Sequence, residues 1–258
     1  ALRMLAPMST HLTIVTGSSR GIGAELVAQR LAPGHRLLGI ARHANAALQA
    51  RADAAGVPLQ QWTLDLADAP AAAARLQAWL QGLDGGGFAS ATLINNAGLV
   101  GTPAPLDQVP LAELSTALRA GLEAALLLTG AFIAATAAWP GARRVMNISS
   151  GLGRRAMAGS AAYCAAKAGM DHFSRCVALE QAALPNGVRI VSIAPGVIDT
   201  DMQAQLRGAD PTRFPERARF AALHQQGQLS RPADCAAALL ARLARPDFGA
   251  EPIADLRD

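Results

Sequence analysis

The alternation of short apolar runs with longer Ala- and Leu-rich stretches, sustained along 258 residues, constrains the fold more than any other feature. Residues 12–16 form an apolar run that passes straight into Gly17-Ser18-Ser19-Arg20-Gly21-Ile22-Gly23. A helix follows, with Ile22, Leu26, Val27 and Leu31 on one face, ending near Pro33-Gly34. Further strands are expected over 36–41, 58–64, 91–95, 143–148 and 188–194. Between them the helical spacing of Leu, Ile and Ala predicts helices over 44–55, 70–83, 111–138 (one unbroken helix) and 160–184. The Gly85-Gly86-Gly87 loop closes the second of these, and a helix near 233–243 precedes a short tail. Neighbouring strands joined through helices must run parallel, so the chain is expected to be α/β, a single-domain, doubly wound parallel sheet. No repeat or linker divides it.

With 51% apolar residues but only 4% aromatics, one core of Ala, Leu, Val and Ile is expected, with helices packed closely over small side chains. The net charge of +4 is spread over scattered arginines. Only Arg143-Arg144 and Arg154-Arg155 are adjacent, and no aromatic residues interleave them. That pattern argues against nucleic acid and suits an anionic cofactor or substrate. Cys164, Cys176 and Cys235 make no CxxC and read as reduced, small core residues of a cytoplasmic protein. The five histidines show no metal-ligand spacing, so no metal is expected. Apolar runs such as 123–140 read as too short and too Ala-rich for a membrane span. Residues 1–7 read as an extension, with Met8 as the natural start.

The only tyrosine and the only lysine of the chain, Tyr163 and Lys167, stand four residues apart. Every other basic residue is arginine. At that spacing phenol and ammonium share one helix face, which suits a proton donor with a cationic neighbour. A buried Tyr beside a solvated Lys would give the same pattern, but the exclusivity of both residues favours chemistry.

The glycine-rich turn after the first strand opens a helix. Gly17, Gly21 and Gly23 would let its backbone, with Ser19, Arg20 and Ile22, approach a pyrophosphate, although tight strand–helix packing alone also asks for glycine. Taken with Asn95-Asn96-Ala97-Gly98, Ser150 thirteen residues before Tyr163, Lys167, and Pro195-Gly196 followed by Thr200, the chain resembles the short-chain dehydrogenase/reductase superfamily over nearly its whole length. The resemblance implies a Rossmann-type sheet of order 3-2-1-4-5-6-7 and a nicotinamide dinucleotide at its switch point. An NAD site usually ends its second strand with an acidic residue, whereas here Ala41 and Arg42 stand there. Arg42 and Arg20 would grip a 2′-phosphate, which predicts NADP(H); both could otherwise be ordinary surface arginines. By the same resemblance Asp65 and Leu66 would meet the adenine, or Asp65 would cap a helix. Asn95 would brace the strands. Asn96, Ala97, Gly98, Pro195, Gly196, Val197, Ile198 and Met202 would line the cofactor. Thr200 would hold the carboxamide or cap the next helix.

In the family mechanism Ser150 would hold the substrate carbonyl, with Ser149 as its competitor, and Tyr163 would give the proton. Lys167 would clamp the nicotinamide ribose and lower the phenol toward 7, a change of about 4 kcal/mol. One departure stands out: Gly121 occupies the place of the family's usual Asn in the long helix. That opens an alternative, an NADP(H)-binding protein of low turnover.

The run Gly196-Val197-Ile198-Asp199-Thr200-Asp201-Met202-Gln203, with Tyr163-Cys164 and Gly227-Gln228-Leu229, resembles the sepiapterin reductase branch, whose bacterial relatives reduce benzil and other 1,2-diketones. It implies an NADPH-dependent carbonyl reductase acting on a sepiapterin-like pterin or a vicinal diketone; a 3-oxoacyl thioester reductase is a further alternative. Ser150, Leu152, Tyr163, Gly196, Met202 and Gln203 would touch substrate, and Asp255 would anchor an amino-pyrimidine edge unless it is only a solvated terminal charge. Residues 202–229 should form a lid, its Met202, Leu206, Phe214, Phe220 and Leu223 making either an apolar wall or core contacts. The helices at 111–138 and 160–184 are expected to pack against a second subunit, giving a homodimer or homotetramer. The expected partner is thus a small carbonyl compound, with no nucleic acid and no membrane.

Overall fold

The structure, a computed structural model, describes residues 10–258. The extension expected over 1–7, and Met8, lie outside the described residues.

Seven parallel strands form one sheet in the order β3-β2-β1-β4-β5-β6-β7. They are β1 (Thr10–Thr16), β2 (His35–Ala41), β3 (Leu59–Thr63), β4 (Phe88–Asn95), β5 (Ala142–Ile148), β6 (Arg189–Ala194) and β7 (Ile253–Asp255). Six of these coincide with the expected runs. The seventh comes from the C-terminal tail, too short to show a period of its own, and it pairs with β6 from Ser192↔Ile253 to Ala194↔Asp255.

On one face lie α1 (Gly21–Ala28), α2 (Ala46–Ala55) and α9 (Pro232–Ala244); on the other α3 (Ala69–Gln81), α4 (Leu111–Leu118), α5 (Ala124–Ala135) and α6 (Ala161–Ala182). Local chemistry sets several of the ends. Asn45 caps α2 by accepting from Leu48 N at 2.9 Å, and Gly56, at φ 64°, stops it. Asp68 caps α3, and Pro232 opens α9. One apolar layer joins Leu76, Leu80, Leu128, Phe132, Met170 and Phe173 to the sheet; the other joins Leu26, Leu48, Leu239 and Leu243 to its opposite face. Each fully buried large aliphatic side chain contributes about 1.5–3 kcal/mol.

The single helix expected over 111–138 is divided. A π-helical turn, Arg119–Glu123, separates α4 from α5, and the helix ends at Ala135. Gly121 sits in that turn, buried against α6, where an added Cβ would stand 3.3 Å from Cβ of Ala166. Periodicity alone does not reveal a π turn, because apolar residues continue through it. Leu111–Ala135 is 25 residues long with a mean hydropathy of 1.5, enough by length and composition to cross a bilayer, contrary to the expected shortfall; here it packs on α3, α6 and the sheet. The cysteine expectation holds only for Cys235, since Cys164 is half-buried and Cys176 exposed.

Between β6 and α9 lie α7 (Asp201–Arg207) and α8 (Arg217–Gln225). Leu206, Phe214 and Phe220 are buried with Val100, Leu152, Met157 and Tyr163, and Met202 and Leu223 pack against them. They are at once the core of the two short helices and, through Met202, Leu206 and Phe220, part of a wall.

Candidate active site

The C-terminal ends of the strands open onto a cleft of about 770 Å³, where the strand order reverses between β1 and β4. The β1 and β4 loops are tied together there. Thr16 Oγ1 accepts from the backbone N–H of Asn96 and of Ala97, each at 3.0 Å, and Asn96 Nδ2 donates to Thr16 O at 3.0 Å. Gly17 and Gly21, at φ 67° and 56°, take the left-handed backbone that keeps the turn open. Asn95 braces the adjacent strand, donating to Asn147 Oδ1 at 2.8 Å and Thr129 Oγ1 at 3.0 Å.

Nearly all of the expected cofactor residues line this cleft, from Gly17, Ser19, Gly21 and Ile22 to Thr200 and Met202. Gly23 does not; an added Cβ would strike the carbonyl of Gly17, so this glycine serves the packing of α1 on the turn. Asp65 lines the cleft in an Asx turn, accepting from Ala67 N at 2.9 Å. Thr200 makes no capping bond to α7 and stands half-buried on the wall. Arg42 and His43 line the rim after β2 and enter no ion pair among the described residues. Arg20 lines the rim too, but its Nη1 lies 2.6 Å from Asp201 Oδ2, both side chains being mostly exposed. The structure therefore leaves Arg42 without an ion pair among the described residues on the rim after β2 and directs Arg20 across the cleft mouth to α7.

Tyr163 and Lys167 are both buried on the first turns of α6. Lys167 Nζ donates to the carbonyl of Ile148 at 2.7 Å and lies 5.7 Å from the Tyr163 ring centroid. Gly98 faces it closely, since an added Cβ would stand 3.4 Å from Nζ. Burial pushes the phenol up to about 12, with the Ser150 hydroxyl pulling the other way. This reverses the expected shift toward 7: both groups are out of water, and the ammonium is spent on a carbonyl rather than on the phenol oxygen. Burial likewise pulls Lys167 down to about 8, opposed by Asp171. Ser150 lines the cleft half-buried, whereas Ser149 Oγ is buried with no partner among the described residues, so the thirteen-residue spacing selects the more accessible hydroxyl.

Asp171, one turn beyond Lys167, was not singled out by sequence, although i, i+4 from the only lysine was a usable signal. Its carboxylate accepts from Ser192 Oγ at 2.6 Å and Arg154 Nε at 3.0 Å. Arg154 Nη2 in turn donates to Ala254 O at 2.8 Å. One buried carboxylate thus joins α6, the loop after Ser150, β6 and the C-terminal strand.

On the substrate side Leu152, Gly196, Met202 and Gln203 line the cleft, and Gln203 Oε1 is buried without a partner among the described residues. Asp255 does not reach the wall. Both its oxygens are held by Arg257, at 2.7 and 2.6 Å, which also keeps its carboxyl below the usual range. Arg257 reaches the cleft instead, beside Gly196, and Arg155 and Arg219 join it. Sequence reasoning missed these three because nothing in their spacing marks which surface arginines the loops bring inward.

A seven-stranded Rossmann-type sheet with a buried Tyr–Lys pair and a serine at its switch-point cleft defines a nicotinamide-dependent oxidoreductase. The short chain dehydrogenase model matches residues 11–211, and the chain belongs to that family, with a sepiapterin reductase-like relation. It is 34% identical over 235 residues to a benzil reductase ((S)-benzoin forming) of Bacillus cereus, covering 91% of this chain and 94% of the relative. Over 256 residues it is 32% identical to the sepiapterin reductase of Meriones unguiculatus, covering 95% of each. A short-chain dehydrogenase/reductase structure from Burkholderia vietnamiensis superposes with a TM-score of 0.65 at 34% identity, covering 97% of this chain and 99% of that one. The family's NAD(P)(H) fits the chain: the left-handed glycine turn, Gly98 beside Lys167 Nζ, and Arg42, without an ion pair among the described residues, all border the cleft.

Proposed function

We propose that this chain is a cytoplasmic, NADPH-dependent carbonyl reductase that reduces one ketone of a vicinal diketone or a sepiapterin-like pterin. The observation that carries this reading is the buried Tyr163–Lys167 pair beside Ser150, on the floor of a cleft walled by Leu152, Met202, Leu206 and Phe220. Arg42 without a carboxylate beside it favours the 2′-phosphate. When bound, the dinucleotide supplies the hydride. Ser150 holds the carbonyl oxygen, and Tyr163 gives that oxygen its proton. Lys167 would hold the nicotinamide ribose, and the apolar wall excludes water from the reacting carbon. The resemblance to benzil and sepiapterin reductases supports both substrate classes, and the half-exposed or exposed Leu111, Leu118, Leu126 and Leu179 support a homodimer or homotetramer.

A second reading, dinucleotide binding with little turnover, is favoured by Gly121 alone, which supplies no side chain to hold a relay water. Following NADPH oxidation with benzil, sepiapterin and a 3-oxoacyl thioester separates the two. Turnover of benzil or sepiapterin that Tyr163→Phe abolishes, with NADPH binding retained, supports the reductase. Tight NADPH binding with no turnover on any of the three supports the second reading.

A further inference from the structure

The end of the sheet opposite the cleft begins in basic side chains. His11 of β1 lies in register with His35 of β2 and Ser90 of β4, and Arg144 of β5 lies in register with Thr92 of β4 and Arg189 of β6. Side chains alternate along a strand, and Ser90 and Thr92 are two apart, so all of these residues share one sheet face. It is the face that α1 and α9 cover. Arg30, just beyond the end of α1, comes down onto the same group.

The two imidazole rings lie 5.3 Å apart, and His11 Nδ1 is 2.8 Å from Ser90 Oγ. Nε of Arg30, Nε of Arg144 and Nδ1 of His35 are buried with no partner among the described residues. None of the three arginines or two histidines enters an ion pair among the described residues. The nine residues preceding β1 contain no Asp or Glu. Burial lowers the pKa of Arg30, Arg144, His11 and His35, and the charged neighbours that add to the shift are all cations of this cluster.

Buried donors are ordinarily satisfied, and desolvated charges are ordinarily paired. A concentration of guanidiniums and imidazole donors that meets neither condition calls for an anion. We propose that the cluster of His11, His35, Arg30 and Arg144 at the base of the sheet binds a small free oxyanion of the phosphate class, at a site separate from the cofactor cleft. The strand length puts about 20 Å between the two sites. The unpartnered Nε and Nδ1 donors are buried and the side chains half-buried, which favours a small free tetrahedral ion over a phosphorylated metabolite, and Ser90 adds a hydroxyl at its edge.

The test is thermal unfolding of the full chain with inorganic phosphate against chloride at equal ionic strength and pH 7, together with NMR of the imidazole resonances. The expected result is a saturable rise of several degrees and movement of the His11 and His35 resonances. Both should survive Arg42→Ala, which removes the leading 2′-phosphate candidate of the cleft, and both should be lost in Arg144→Leu and in Arg30→Leu. Without phosphate, Arg144→Leu should melt no lower than the parent, because it removes one of the repelling charges. A phosphate effect no larger than that of chloride, or one unchanged in Arg30→Leu and Arg144→Leu, overturns the proposal. Should one variant fail to fold, the other and the imidazole resonances of the parent chain still decide.

Discussion

Asp171→Asn tests how the Lys167 ammonium is held. The asparagine keeps an acceptor for Ser192 Oγ but loses the charge, and it can present an amide N–H to Arg154 Nε where a carboxylate oxygen stood. Breaking a fully buried ion pair costs about 3–5 kcal/mol, and an exposed one contributes under about 1. The Asp171 side chain is 3% exposed and that of Arg154 32%, so a cost of about 2 kcal/mol is expected. For a chain of this size that is a fall in Tm of about 4–8 °C. A purely structural residue would do no more. Asp171 also opposes the burial that pulls Lys167 down to about 8. Without it the ammonium deprotonates earlier, and the alkaline limb of kcat/KM for NADPH-dependent benzil reduction should move toward acid by about one unit. Arg154→Met is the control: it removes a cation from beside the carboxylate, so it should lower Tm without moving that limb toward acid. Asp171→Asn with the parent's alkaline limb would refute the positioning role, even if stability fell as expected.

Lys167 should leave its mark on stability. Its folded pKa of about 8 lies below the ordinary 10.5, so its contribution is fully present above 10.5 and is lost as the pH falls through 8, by about 3 kcal/mol at most. Denaturant titrations should show the parent gaining on Lys167→Met by that order between pH 7.5 and 10.5, and a constant difference would count against burial as the cause. Arg42→Ala should raise KM for NADPH about tenfold to a hundredfold, the loss of a charge-assisted hydrogen bond of about 1.5–3 kcal/mol, and leave KM for NADH nearly unchanged. Arg20→Ala should do less, because Arg20 already faces Asp201; equal losses with both cofactors would sink the 2′-phosphate assignment. Gly121→Asn should overpack the π turn against Ala166 and cost about 1–3 kcal/mol, with Ala166→Gly in the same chain restoring most of it. A Gly121→Asn protein with the parent's Tm would show that α6 yields there at no cost.

Much of the site was legible because its chemistry is local in sequence. Tyr163 and Lys167 are joined by one helical turn, and the glycines of Gly17–Gly21 by one strand–helix connection, so spacing alone places them together. Gly23 was assigned to the cofactor because spacing cannot tell a glycine that admits a ligand from one that admits a helix. Asp255 is given to the substrate by the resemblance of the tail to the sepiapterin reductase branch, with a solvated terminal charge as the alternative. The sequence does not show that Arg257, two residues on, takes both its oxygens.

The sequence by itself determined the parallel α/β architecture, the strand–glycine–helix turn and the Tyr163–Lys167 pair, since each follows from periodicity or short-range spacing, whereas Ser150 is marked only by the resemblance to the family. Only the tertiary structure decided the charge states and the distant partnerships. Burial moved the phenol up and the ammonium down, against the expected direction for the phenol. Packing brought Arg154 and Ser192 onto Asp171, sent Arg20 to Asp201, and gathered three arginines and two histidines at the base of the sheet. Desolvation and long-range contact depend on what covers a group in space, and neighbours in the chain do not record that.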